Sequence, residues 1–136
     1  MGRLVCGLGQ DTVNRRADLA FAALILMAGA VMHTIAFPKA AAAAEGSNLL
    51  SRMASTFKAL WLIDSVTSLS LAVVLVAIVV SPALAAPRLV PILALSPLGT
   101  AIVIFATLGN FFPGYLMLAA GVAIVLAGLF TGSKGR

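Results

Sequence analysis

The residues able to do chemistry in this sequence are few, and they are related by position in helices rather than by a motif. His33 is the single histidine of the chain, and Asp64 is an acidic residue inside a long apolar segment. A hydrogen-bonded histidine–carboxylate pair can relay protons or orient a ligand, and histidine titrates near physiological pH. Helical spacing and depth predict that these two residues belong to one candidate polar cluster, whose members are His33, Asp64, Ser65, Ser68, Thr107, Asn110 and Tyr115.

The cluster has a structural and a functional interpretation, and the sequence leaves both open. An ionisable residue inside a membrane-spanning helix costs roughly 2.5–3.5 kcal/mol on insertion scales, so Asp64 needs a partner or access to water. In the structural interpretation, Asp64 bonds to His33, Ser68 or a loop and holds helices together. In the functional interpretation, the pair carries protons or a ligand. A metal site would need ligands from neighbouring chains, because one histidine and one aspartate fall short of a ligand set.

The composition explains why the helices that position this cluster must lie in a membrane. The chain has 136 residues, of which 62% are hydrophobic and 10% are charged. Soluble domains run at about 45–50% apolar and about 25% charged residues. A soluble globular protein is therefore excluded, and the lipid bilayer is the expected environment. The single cysteine, Cys6, excludes an internal disulfide and a cysteine-held metal cluster within one chain. We expect no cofactor, no metal held by one chain and no enzymatic activity.

Hydropathy predicts an all-α integral membrane four-helix bundle, with residues 1–136 forming a single transmembrane domain. Its spans run over about residues 19–37, 57–80, 89–109 and 112–130. Each is close to the ~20 residues that a helix needs to cross a ~30 Å hydrocarbon core. The loops are short, and a short interfacial helix is expected between the first two spans, beginning at Ser47 or Asn48. Pro97 predicts a kink in the third span.

Basic residues predict how the chain is oriented. The net charge of +5 would suggest nucleic acid in a soluble protein, but here the charges flank apolar segments, so no nucleic-acid partner is expected. Both termini are predicted to be cytoplasmic, in a multi-pass protein of the cell's inner membrane. Of the basic residues, six lie on the side of the termini (Arg3, Arg15, Arg16, Arg88, Lys134 and Arg136) and three lie on the other side (Lys39, Arg52 and Lys58).

Small residues at helical spacing predict close helix packing. Gly114, Gly121 and Gly128 recur every seven residues in the fourth span, and Ala22 and Gly29 share a face of the first. These seams favour a structural or accessory subunit that packs as a homo-oligomer or within a larger membrane complex. The alternative is a transporter or channel for small substrates or protons that uses the polar cluster near the non-cytoplasmic face.

Two short segments carry a resemblance to known proteins. They are the run from Ala28 to His33 at the end of the first span and the run from Phe57 to Ser65 at the start of the second. With these segments the first half of the chain resembles small uncharacterised bacterial inner-membrane proteins of four helices. The resemblance implies a four-helix membrane protein and brings no known activity with it.

Overall fold

The computed structural model describes the backbone of residues 2–129 and the side chains of residues 13–86 and 88–129. Four α-helices make up most of this part of the chain: α1 (Gly2–Glu45), α2 (Ser51–Val80), α3 (Leu95–Leu108) and α4 (Phe112–Leu129). Two 3-10 segments, Pro82–Leu84 and Pro87–Ala94, connect α2 to α3. No strand occurs within residues 2–129. The all-α class predicted from the sequence is confirmed.

All four helices are long and apolar enough to cross a membrane, with α3 counted together with its 3-10 extension from Arg88. Much of their apolar surface is exposed, as at Val66 on α2 (63%) and Ile102 on α3 (68%). Apolar patches of this extent are unfavourable in water and favourable against lipid tails. Four spans near the predicted positions are therefore supported by length, composition and exposure.

No separate interfacial helix lies between the first two spans, because residues 51–56, where a helix leading into the second span was expected, form the first turns of α2. Residues 40–45 instead extend α1, which continues through Pro38, because the alanine run from Ala40 to Ala44 strongly favours helix. The Ser47 hydroxyl donates back to the Ala44 carbonyl at 2.7 Å, so it caps the end of α1 rather than starting a new helix. Only residues 46–50 remain for the turn before α2 begins at Ser51.

Prolines set the shape of the third span. Pro87 and Pro91 lie in the 3-10 segment of Pro87–Ala94. Inside an α-helix, a proline lacks the N–H that bonds to the i−4 carbonyl and its ring crowds that carbonyl, so 3-10 winding is favoured here. Pro97 lies in the first turn of α3, where an N–H would have no partner inside the α-helix. The irregularity predicted at Pro97 therefore lies just before it, where the chain passes from 3-10 to α winding at Leu95.

Helix α1 is the central helix of the packing. It packs against α2 and against α4, and α4 packs in turn against α3 and the Pro87–Ala94 segment. Over the described residues, α2 and α3 do not pack along one another. The spatial order is thus α2–α1–α4–α3, and the bundle is open on the outer faces of α2 and α3.

The glycine heptad of α4 forms the seam with α3. A Cβ on Gly121 would lie 2.5 Å from Leu98 Cδ2, and one on Gly114 would lie 2.7 Å from Phe105 Cε1. Gly128 likewise abuts the ring of Pro91. The facing residues 105, 98 and 91 also recur every seven positions, so the two helices run antiparallel in one register. Because glycine has no side chain, these three positions of α4 let the backbones of α3 and α4 approach closely.

The two ends of the bundle differ in chemistry. Met117 Cε lies 3.5 Å from where a Cβ on Gly29 would stand, so residue 117 of α4 is level with residue 29 of α1. Because both helices have the same rise per residue, α4 begins near the level of His33 and finishes just beyond the level of Asp18. We call these the His33 end and the Arg15 end. Fully buried apolar residues such as Leu19, Leu26 and Leu75 concentrate toward the Arg15 end. The α1–α2 hairpin projects past α4 at the His33 end by roughly 17 Å.

Candidate functional site

His33 and Asp64 are in direct contact across the α1–α2 interface. His33 Nδ1 lies 3.4 Å from Asp64 Oδ2, and Ser65 Oγ lies 3.4 Å from the same ring nitrogen. The antiparallel hairpin brings them together because His33 lies about three turns before the end of α1, while Asp64 lies nearly four turns into α2. The contact predicted between the only histidine and the intramembrane aspartate is confirmed.

Trp61 contacts His33 through both its ring and its indole N–H, and the predicted cluster did not include it. Its indole ring stacks on the imidazole with centroids 4.2 Å apart and planes at 9°, and its Nε1 donates to the His33 carbonyl at 2.8 Å. Trp61 also accepts, through its own carbonyl, a bond from Ser65 Oγ at 3.3 Å. A signal for it existed in the sequence, since Trp61 shares the face of α2 that carries Asp64, Ser65 and Ser68.

The structure divides the seven candidate residues. Thr107 is exposed on α3 and its hydroxyl donates to the Val103 carbonyl at 2.7 Å. The Tyr115 hydroxyl donates to Asn110 Oδ1 at 3.3 Å, at the turn between α3 and α4. No hydrogen bond or ion pair within residues 13–86 and 88–129 joins these residues to His33 or Asp64. They lie toward the same end of the bundle without forming one cluster.

Ser68, the remaining candidate, is buried on α2 one turn after Ser65. Burial places it on the face of α2 that packs against α1, which contains Ser65, Ala72 and Leu75 as well. The small side chains of Ser65, Ser68 and Ala72 allow α1 and α2 to approach closely. Ser68 therefore belongs to the packing seam below the His33–Asp64 contact.

The site is open rather than enclosed. Side-chain exposure is 34% for His33 and 45% for Asp64, and both lie near the level where α4 begins. A shallow apolar groove between α1 and α4, lined by residues such as Phe21, Leu118 and Val122, includes neither of them. Among the described residues, no three His, Cys, Asp or Glu side chains converge as a metal site would require. The site is thus a partly exposed polar contact between α1 and α2. We call it the clasp, and its members are His33, Asp64, Trp61 and Ser65.

Comparison with known proteins finds no match to this chain among protein-family models, curated proteins or solved structures. The resemblance to small bacterial inner-membrane proteins stays a prediction.

Proposed function

We propose that the protein is a structural or accessory subunit of a membrane complex, without enzymatic activity, located in the inner membrane with both termini in the cytoplasm. The observation that carries this proposal is the outward face of α3. It bears Ser96, Gly99, Thr100, Val103 and Thr107 within roughly 100° of arc, by the 3.6-residue period.

This face, which we call the α3 stripe, is directed away from α4. The buried residues of α3, Pro97 and Ala101, lie on the opposite side of the helix. A Cβ built on Gly99 meets nothing within 4 Å, so there is open space beside it. Small and hydroxyl-bearing residues are typical of helix–helix contacts in membranes, because they permit close approach and weak interhelical hydrogen bonds. A transmembrane helix of a partner, or of a second copy, fits this surface.

Packing inside the chain supports the same role. The His33–Asp64 contact is part of a clasp with Trp61 and Ser65, and the groove between α1 and α4 does not include it. Its members hold α1 to α2 by stacking and hydrogen bonding. The clasp stabilises the α1–α2 hairpin and leaves the α3 stripe free. A stable membrane protein with a free helix face is suited to bind another subunit.

Cross-linking tests the proposal. In a Cys6→Ser background, a cysteine at Gly99 should form a disulfide or bifunctional cross-link to a neighbouring helix in native membranes. A cysteine at Ser70, exposed on α2, is the matched control and should cross-link much less. Equal cross-linking at both positions, or none at Gly99, contradicts the assignment of the α3 stripe as the contact surface.

A second candidate function is favoured by one observation, the partial exposure of the His33–Asp64 pair at the end of α4. A titratable pair open to the membrane surface is suited to proton transfer or to holding a small polar ligand. In that case Asp64→Asn should leave the fold intact and abolish a pH-dependent flux in liposomes. An unchanged flux, or no flux from the parent protein, removes this candidate.

A further inference from the structure

A row of large apolar side chains runs along the outermost turns of α2, at the tip of the projecting α1–α2 hairpin. We call this row the tip seam, and its members are Leu50, Met53, Phe57 and Leu60, each between 40% and 71% exposed. Their spacing of three, four and three residues places them on one side of the helix, in the heptad pattern by which two helices pack side by side. The side of α2 that packs against α1 is a different one, on which Ala54 and Ser65 are buried.

The edge of the membrane's hydrocarbon layer meets the hairpin just below most of this seam. Asp18 and Lys39 bound the apolar part of α1, and the helix between them is about 31 Å long, close to the ~30 Å thickness of that layer. His33, in the turn before Lys39, contacts Ser65 of α2. The same edge therefore meets α2 near Ala59.

The outer part of the seam stands in water rather than in lipid. Measured from Ala59, Met53 lies about 9 Å and Leu50 about 13 Å beyond the hydrocarbon layer. The headgroup region on each side of a bilayer is only about 5–8 Å thick. Lipid tails do not reach this height, and a row of exposed apolar side chains in water is typical of a protein–protein contact.

No other segment of the same chain is long enough to cover the seam. Residues 130–136 follow α4 at the Arg15 end and, fully extended, span at most about 25 Å. Leu60, the nearest seam residue, lies about 30 Å from that end along the bundle axis. The first turns of α1 run from the Arg15 end away from the seam. The occupant of the seam therefore comes from another molecule.

A second copy of this chain fits the seam. Two copies inserted with one topology stand parallel and at one height in the membrane, so their seams meet in register. The heptad positions that flank the seam, residues 49, 54, 56 and 61, carry no charge, so two seams meet without repulsion. Lys58 is outside these positions and is bound by Glu45 of its own chain at 2.7 Å. A partner chosen by charge would find no charged flank to bind.

We propose that the tip seam forms a parallel α2–α2 contact between two copies of the protein, around a two-fold axis along the membrane normal. The inference concerns a different helix from the α3 stripe and does not depend on the proposed function. The seam ends at Leu60, because the next heptad position is Asp64, whose carboxylate contacts His33. Phe57 is already positioned by its ring contact with Trp61, with centroids 5.6 Å apart.

Four side chains per copy make a small interface, and the membrane compensates for its size. Both copies are held at one height and in one orientation before they meet. Much of the rotational and translational freedom that association in solution would cost is therefore already lost. The contact is accordingly expected in a bilayer, which is where its tests are made.

Disulfide trapping in native membranes tests the contact. In a Cys6→Ser background, Met53→Cys should form a disulfide to the same position of a second copy under mild oxidation, because seam residues meet at the two-fold axis. Ser55→Cys is the matched control, since it is exposed two residues away but about 160° round the helix. We expect a product of twice the chain's mass for Met53→Cys and little of it for Ser55→Cys.

Energy transfer between copies in liposomes measures the strength of the contact. Donor and acceptor dyes are attached through Ser55→Cys in a Cys6→Ser, Gly99→Leu background, so that the α3 stripe does not contribute. Met53→Glu should raise the dissociation constant by more than about tenfold, because two apolar contacts are lost and two like charges face each other. Met53→Leu should keep the dimer, since leucine at this heptad position favours two strands. Ser51→Glu, on the opposite side of α2, is the control and should change it by less than about threefold.

Three results would overturn the proposal. Disulfide formation that is equal at Met53→Cys and Ser55→Cys, or absent from both, would leave only random collision between copies. A cross-linked product of another mass would assign the seam to a different protein. Energy transfer unchanged by Met53→Glu would show that the seam is not the contact; because Met53 is exposed, the helical content of this variant should match that of the parent.

Discussion

A methyl group added at Gly121 should separate α3 from α4. In Gly121→Ala the new Cβ would lie 2.5 Å from Leu98 Cδ2 and 2.6 Å from Leu98 Cγ, whereas carbon atoms in contact prefer about 3.5–4.0 Å. Rotation about the outer torsion of Leu98 moves Cδ2 but leaves Cγ in place. Relief therefore requires a new χ1 rotamer or a backbone shift of about 1 Å, and overpacking of this kind costs about 1–3 kcal/mol.

For the protein unfolded as a monomer in micelles, Gly99→Ala is the matched control, because a Cβ at Gly99 meets no atom of the same chain within 4 Å. Both substitutions gain about 0.5–1 kcal/mol from replacing glycine in a helix, so this gain cancels in the comparison. The free energy of unfolding of Gly121→Ala should then be lower than that of Gly99→Ala by about 1–3 kcal/mol.

Reversible unfolding of the purified protein in mixed micelles measures this difference. A second variant tests the cause: Leu98→Ala combined with Gly121→Ala should cost less than the sum of the two single changes, because the crowded side chain is gone. Equal unfolding free energies for Gly121→Ala and Gly99→Ala, within about 0.5 kcal/mol, would refute the assignment of the glycine heptad to the α3–α4 seam.

Other expectations concern the clasp and the orientation of the chain. His33→Ala and Asp64→Asn should each lower thermal stability, with a coupling energy of only about 0.5 kcal/mol since both side chains are more than a third exposed; additive effects would mean that the pair is not coupled. Trp61→Phe keeps an aromatic ring but loses the bond to the His33 carbonyl, so it should cost about 0.5–1.5 kcal/mol by the same unfolding assay, and no loss would remove that bond from the clasp. A cysteine introduced at Gly46 without Cys6 should react with an impermeant thiol reagent from the non-cytoplasmic side; labelling from the cytoplasm alone would reverse the topology.

Much of this fold follows from the sequence because lipid leaves few choices. Apolar segments of about 20 residues can only be helices in a bilayer, and small residues at heptad spacing must face another backbone. The pairing of His33 with Asp64 was also accessible, since two adjacent antiparallel helices put them at one depth. Each of these features depends only on residues within one helix, or within two helices joined by a short turn, so the spacing along the sequence is enough to predict it.

Other features depend on packing between distant segments, which periodicity does not encode. Thr107 and Tyr115 were expected beside His33 because depth alone was known, while the rotation of α3 and α4 was not. Rotation is decided by the glycine seam, which turns the α3 stripe outward. The first span was predicted to end at about residue 37, at the edge of the apolar segment, whereas α1 continues to Glu45. Ser47, expected as a possible cap of a new helix, bonds back to the end of α1 instead.

The mass of the intact particle extracted from native membranes tests the accessory-subunit role most directly. The chain alone has a mass of 13.9 kDa. In mild detergent we predict a discrete assembly containing further copies or other subunits, which Gly99→Leu disrupts while Ser70→Leu, on the exposed face of α2, leaves it intact. A particle of 13.9 kDa protein mass for the parent, or an assembly unaffected by Gly99→Leu, would contradict the proposed role of the α3 stripe.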